Sequence, residues 1–180
     1  MEKQPPERSA PLDARTRRQR DAFEAFFQRF EQPIFGYLWR MTRSEQAAFD
    51  LTQETFVRAW QHFDAIGEHR ETGGWLFRVA SNLALTYLKR QSARPLAPLD
   101  DTLPGGGDPG GRLAEQEIVL RTLQALTPKQ RGALVLHEVY GLSCDEVGAA
   151  LGLSRAAVKM ALWRARETFR ERYLREEADV

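Results

Sequence analysis

Wherever the apolar positions of this chain form a pattern, they recur every three or four residues, and they nowhere alternate over a useful length. That period predicts helices and no sheet. Phe23, Phe26, Phe27 and Phe30 share one helical face, and Pro33 is placed to start a second helix running through Tyr37 and Trp39. From Ser44, the segment SEQAAFDLTQETFVRAWQHF predicts a capped helix with Phe49, Phe56, Trp60 and Phe63 along one side. Gln46, Asp50, Gln53, Glu54 and Gln61 fall on the other side. A third pattern predicts a helix from about Trp75 to Gln91, with Thr72 or a neighbour as its cap. On it Arg78, Asn82, Thr86 and Lys89 make one polar stripe opposite Leu76, Val79, Ala80, Leu83 and Tyr87.

The C-terminal pattern is shorter and more punctuated. Thr127 with Gln130, and Ser143 with Glu146, each have the Ser/Thr-x-x-Glu/Gln spacing that satisfies orphan amide donors at a helix start. Pro128 suits the first helical position, and Gly141 can stop that helix in a left-handed conformation. Gly152 can turn the chain between Leu151 and Ser154, which leaves a connection of only Gly-Leu-Ser. Gly148 leaves room for a close helix crossing, and Val147, Leu151, Leu153, Val158 and Leu162 are spaced to form a small core. A basic last helix after so tight a turn is a helix-turn-helix reader of DNA. Its inward series is Val158, Leu162, Ala165 and Phe169. Arg155, Lys159, Trp163, Arg164 and Arg166 stay outside or at the flanks, suited to phosphate and base-edge contact.

Between the two helical regions, PLAPLDDTLPGGGDPGG has no hydrophobic period and reads as a flexible linker. The predicted fold is therefore all-α, with two small helical domains. Residues 1–17 form a polar tail, 18–92 one domain, 93–112 the linker, and 113–176 the helix-turn-helix domain.

Composition removes several function classes. Apolar residues make up 42% of the 180, enough for packed cores. No run reaches the ~18 apolar residues of a membrane span. The N-terminus is polar and Pro-containing, unlike a signal peptide, so a cytoplasmic protein is expected. Cys144 is the single cysteine, and His62, His69 and His137 are scattered, so neither a disulfide nor a metal or other cofactor is expected. No clustered carboxylates, nucleophile-base pair or phosphate loop supports an enzyme.

Net charge is only +1, low for a protein that must find DNA unaided. The charge is segregated. Residues 75–94 hold Arg78, Lys89, Arg90 and Arg94 with no acid, while residues 44–57 hold Glu45, Asp50 and Glu54 with no base. Separate faces suggest a protein that binds DNA after docking on something else. Two readings stay open for each face on spacing alone. The stripe with Asn82 and Thr86 is a solvated helix face or a surface for unpaired bases, with the preceding loop folding around an extruded one. The row Asp50, Gln53, Glu54 is ordinary solvation or a docking surface for a basic partner.

Three consecutive segments resemble bacterial sigma factors of the extracytoplasmic-function class. DLTQETFVRAWQHF (50–63) looks like that family's polymerase-binding helix, and WLFRVASNLALTYLKR (75–90) is similar to its minus-ten reader. Residues 126–169 resemble its minus-thirty-five reader. The resemblance implies that Asp50, Gln53, Glu54 and Phe56 contact the clamp helices of core RNA polymerase. It implies that residues 64–74 capture a flipped base of the non-template strand, with Arg78, Asn82, Thr86, Lys89 and Arg90 along the single strand. Arg155, Lys159, Met160, Trp163, Arg164 and Arg166 would meet duplex promoter DNA, and an anti-sigma factor is an expected partner. Met160-Ala161 replaces the family's usual small polar residue and Arg, and Trp163 replaces a more common His or Tyr, so the chain's own base preference is expected there. Two other functions are consistent with parts of the pattern: a stand-alone helix-turn-helix regulator, and a sigma-like decoy that binds regulators only.

Overall fold

The computed structural model describes residues 14–66, 72–93 and 112–178. Over these residues the periodicities resolve into seven α-helices and no strand. They are α1 (Ala14–Thr42), α2 (Glu45–Ile66), α3 (Thr72–Ser92), α4 (Arg112–Gln124), α5 (Pro128–Leu134), α6 (Cys144–Leu151) and α7 (Arg155–Ala178). A π turn, Val135–Val139, prolongs α5.

Pro33 does not start a helix; it lies inside α1, which is continuous. An internal proline forfeits one hydrogen bond and strains the preceding turn. Here Phe26, Phe27 and Phe30 before it and Ile34, Tyr37, Leu38 and Met41 after it all join the same hydrophobic core. Burial on both sides of the proline outweighs that local cost. The helix also begins at Ala14, so residues 14–17 are helical where a tail was expected, and the rest of that tail lies outside the described residues. Likewise α3 starts at Thr72, which puts Gly73 and Gly74 in its first turn. A Cβ at Gly73 would stand 3.1 Å from Phe30 Cε1, so the absent side chain lets α3 approach α1.

The apolar side read along α2 is only half buried. Phe56 and Phe63 are inside, whereas Phe49 is 51% and Trp60 44% exposed. The buried arc is centred on small residues, Ala48, Thr52, Thr55 and Ala59, which allow a close helix approach and leave Phe49 and Trp60 at its rim. Thr52 and Thr55 satisfy their buried hydroxyls on the carbonyls of Ala48 and Leu51, both at 2.7 Å.

The helices of both halves share one hydrophobic cluster. Leu76, Phe77 and Ala80 of α3 lie in it with Ala133, Leu136, Val147, Ala150 and Leu151. The Tyr140 ring sits 4.9 Å from Phe77, and the Tyr37 hydroxyl bonds Ser81 at 2.8 Å beneath them. Arg131 ties the halves more tightly. Its buried guanidinium donates to the carbonyls of Leu123, Gln124 and Leu126, and to that of Met41 at the end of α1. Four acceptors at two helix C-termini suit a cation without any carboxylate nearby. Burial lowers its pKa to about 10, which leaves it charged at neutral pH. Gln124 Nε2 also donates to Arg40 O at 3.0 Å, and Arg43 pairs with Glu117. The segment expected as a linker lies outside the described residues, apart from its first and last positions.

Candidate nucleic-acid interface

Local chemistry builds the helix-turn-helix. The Thr127–Gln130 and Ser143–Glu146 capping boxes both form, each with the side chain and backbone bonds of the motif. Hydrogen bonds from the Ser143 side chain and backbone hold the Glu146 carboxyl below its usual range, fixing the charge at the positive end of α6. Gly141 and Gly152 adopt φ of 70° and 63°, and Ser154 Oγ accepts from Ala157 N at 3.2 Å to start α7. The connection is Gly152, Leu153 and Ser154. Gly148 faces the turn itself: a Cβ there would lie 2.6 Å from Leu153 O, inside contact distance. The π turn was not legible in the sequence. It places Glu138 where Arg166 grips it with two donors, at 3.0 and 2.5 Å.

On α7, Val158, Leu162 and Ala165 are buried, and Arg155, Lys159, Met160, Trp163, Arg164 and Arg166 are exposed. Their electrostatic states differ. Arg155 pairs with Asp145 at 3.3 Å, and Arg166 with Glu138. Among the described residues, Lys159 and Arg164 make no salt bridge, so their charge is available to a phosphate.

The polar stripe of α3 is likewise exposed at Arg78, Asn82, Thr86, Lys89 and Arg90. Asn82, Thr86 and Arg90 line a cleft of about 210 Å³ together with Leu83 and Tyr87 of α3 and Leu51, Glu54 and Arg58 of α2. Arg58 and Tyr87 were missed in the sequence. The Glu54–Arg58 pair, bonded at 2.5 Å, has the i, i+4 spacing that could have revealed the former. The Thr86 hydroxyl donates to Asn82 O at 2.8 Å, leaving its lone pairs to accept. Residues 67–71 of the expected base-capturing loop lie outside the described residues. At its edge, Asp64 accepts from Gln19 Nε2 at 2.5 Å.

On α2, Asp50, Gln53 and Glu54 are exposed on one face, and Asp50 accepts from Gln46 at 3.0 Å. Phe56 is not part of that face. It is 5% exposed, with its ring 4.7 Å from Phe27, so it props the helix from beneath. Beside Gln53 a second cleft, of about 260 Å³, opens between α1 and α2 around Phe27, Phe35 and Phe49. Phe49, read from the sequence as part of the apolar side of α2, thus adds an exposed apolar element beside Gln53. Among the described residues no cluster of His, Cys, Asp and Glu could hold a metal ion, and no helix is long and apolar enough to cross a membrane.

An exposed acidic face on α2, a basic polar stripe on α3 and a capped helix-turn-helix ending in a basic helix are the surface features that this all-helical fold presents. Residues 26–94 match the family Sigma-70 region 2, and residues 116–169 match Sigma-70, region 4. The chain is 33% identical to the RNA polymerase sigma factor CarQ of Myxococcus xanthus, over 84% of this chain and 88% of that protein. It is 31% identical to the ECF RNA polymerase sigma factor SigG of Mycobacterium tuberculosis, over 87% of this chain but 49% of that protein. The chain thus spans about half the length of SigG. The fold resembles the sigma factor RpoE of Bartonella quintana, solved in complex with the anti-sigma factor NepR (TM-score 0.70, 20% identity, 83% and 95% of the two chains covered). It also resembles CnrH in complex with the cytosolic domain of CnrY (TM-score 0.64, 29% identity, 84% and 87% covered). This chain belongs to the sigma-70 family.

Proposed function

We propose that this protein is the promoter-specificity subunit of an RNA polymerase, binding the core enzyme through Asp50, Gln53 and Glu54. It reads a minus-ten element with Arg78, Asn82, Thr86, Lys89 and Arg90. It reads a minus-thirty-five element with Arg155, Lys159, Met160, Trp163, Arg164 and Arg166. The observation that carries this reading is the pairing of an exposed acidic face on α2 with an adjacent basic, hydrogen-bonding stripe on α3. Its mechanism is capture without chemistry. Bases that unpair transiently are held, and the contacts made to them offset the few kcal/mol that each unstacked step costs. Arg58 and Tyr87, which line the α2–α3 cleft, join the minus-ten surface in this reading.

Two elements about 25 base pairs apart are separated by roughly 85 Å of duplex, at 3.4 Å per step. A closed chain of this length is about 40 Å across. The halves joined by Arg131 therefore separate when both elements are read together, and residues 93–112 serve as the tether that keeps their effective concentrations high. An anti-sigma factor is the regulatory partner we propose, since RpoE and CnrH were each solved with a binding partner, NepR and the cytosolic domain of CnrY. A net charge of +1 disfavours a stand-alone duplex-binding regulator. The exposed stripe from Arg78 to Arg90 disfavours a decoy that never meets DNA. The docking role is tested by reversing charge on α2: Asp50→Arg with Glu54→Arg should abolish co-migration with core polymerase at unchanged helical content. Normal association of that variant would remove the assignment.

A further inference from the structure

Over the first turns of α7, before Glu167, the outward face is apolar along its centre and carries a basic side chain at each edge. At about 100° per residue, the buried Val158, Leu162 and Ala165 fix the inward direction, and Ala156, Met160 and Trp163 fall opposite to them. Met160 is 50% and Trp163 61% exposed, large apolar groups in water on the helix that follows the tight turn. Lys159 and Arg164 lie toward opposite edges of this strip, exposed and without a salt bridge among the described residues.

A helix laid in the major groove turns the middle of its outer face to the base edges and its two flanks to the two phosphate backbones. Among the groups that distinguish the base pairs there, all are hydrogen-bond donors or acceptors except the 5-methyl group of thymine, which projects where cytosine has only a C–H. A methyl offers no hydrogen bond and a thioether only a weak acceptor, so pressing Ala156 or Met160 on a donor or acceptor edge would desolvate it with little compensation, and the Trp163 indole is apolar apart from its one N–H donor. Given the promoter role proposed above, we infer that Ala156, Met160 and Trp163 select thymines in the upstream element by contact with their 5-methyl groups, while Lys159 and Arg164 straddle the strip and hold the two backbones. Basic residues on both sides of an apolar centre match the cross-section of a groove, which is why duplex DNA fits this face better than a protein partner.

The test uses the whole chain with core polymerase on a duplex whose upstream element has been selected from a random pool. Each thymine is replaced in turn by deoxyuridine, which lacks only the methyl group. Loss of a thymine methyl at a contacted position should weaken binding about fourfold, the equivalent of burying one methyl-sized group. Met160→Ala or Trp163→Ala should make thymine and uracil equivalent at the position each contacts. Lys159→Ala should weaken all duplexes while keeping the discrimination. Sequence-selective upstream binding that ignores every deoxyuridine substitution would overturn the inference and leave the promoter role standing. So would unchanged discrimination in both apolar variants, or variants that lose only the capture of an acidic protein. A polymerase complex with no upstream selectivity on any duplex would overturn the promoter role as well.

Discussion

The Arg131 guanidinium donates to the backbone carbonyl of Met41, 90 residues earlier in the chain, and this contact joins the helix-turn-helix half to the end of α1. The same group satisfies three carbonyls around the end of α4, so its loss would orphan acceptors in both halves. Arg131→Met is expected to destabilise the protein by about 3 kcal/mol, since unsatisfied buried polar groups cost about 1–3 kcal/mol each. Arg131→Lys should recover little, because an ammonium cannot reproduce the planar fork. Urea titration of the three proteins checks this.

Gly148 inside α6 and Gly152 in the turn that follows it should fail for different reasons. Gly148→Ala meets the Leu153 carbonyl, which is backbone and cannot swing away, and should cost about 1–3 kcal/mol. Gly152→Ala has open space and loses only its left-handed conformation, which costs about 1–2 kcal/mol. Thermal unfolding orders the two, and Gly152→Asn should recover part of the second loss but not the first.

Features set by neighbouring residues were legible in the sequence: both capping boxes, the left-handed Gly141 and Gly152, the Gly-Leu-Ser turn and the stripe from Arg78 to Lys89. Features set by distant packing were not. The helix through Pro33 persists because aromatic and aliphatic faces on both sides are buried. The exposure of Phe49 and Trp60 follows from small residues that steer α2 onto a different arc, and Phe56 is hidden for the same reason. Arg131 carries no sequence signal at all, because its acceptors are backbone carbonyls.

Acid should weaken the pairing of the two halves through Glu117. Burial raises its pKa, but hydrogen bonds from Arg43 and Arg121 outweigh that and hold its carboxyl below the usual 4.5. A carboxylate depressed in the folded state contributes stability that is present above the unfolded value and lost as pH falls through the folded one. Wild type should therefore be more stable than Glu117→Gln near neutral pH, and the difference should close as pH falls below 4.5. Denaturation midpoints across that range give the comparison.

Lys159→Ala and Arg164→Ala should each reduce the slope of log affinity against log salt by about 1, the signature of one lost phosphate contact. Arg155 and Arg166 must first leave Asp145 and Glu138, so their removal should lower the slope less. Salt titrations of upstream-duplex binding by the polymerase complex distinguish the two pairs.

The most direct test is transcription in vitro by core polymerase on a promoter library, with and without this protein. The protein should direct initiation from a discrete set of templates sharing an upstream and a downstream element, and the Asp50→Arg, Glu54→Arg double variant should direct none. Failure to initiate on every template, with the folded protein present in excess, would contradict the proposed role.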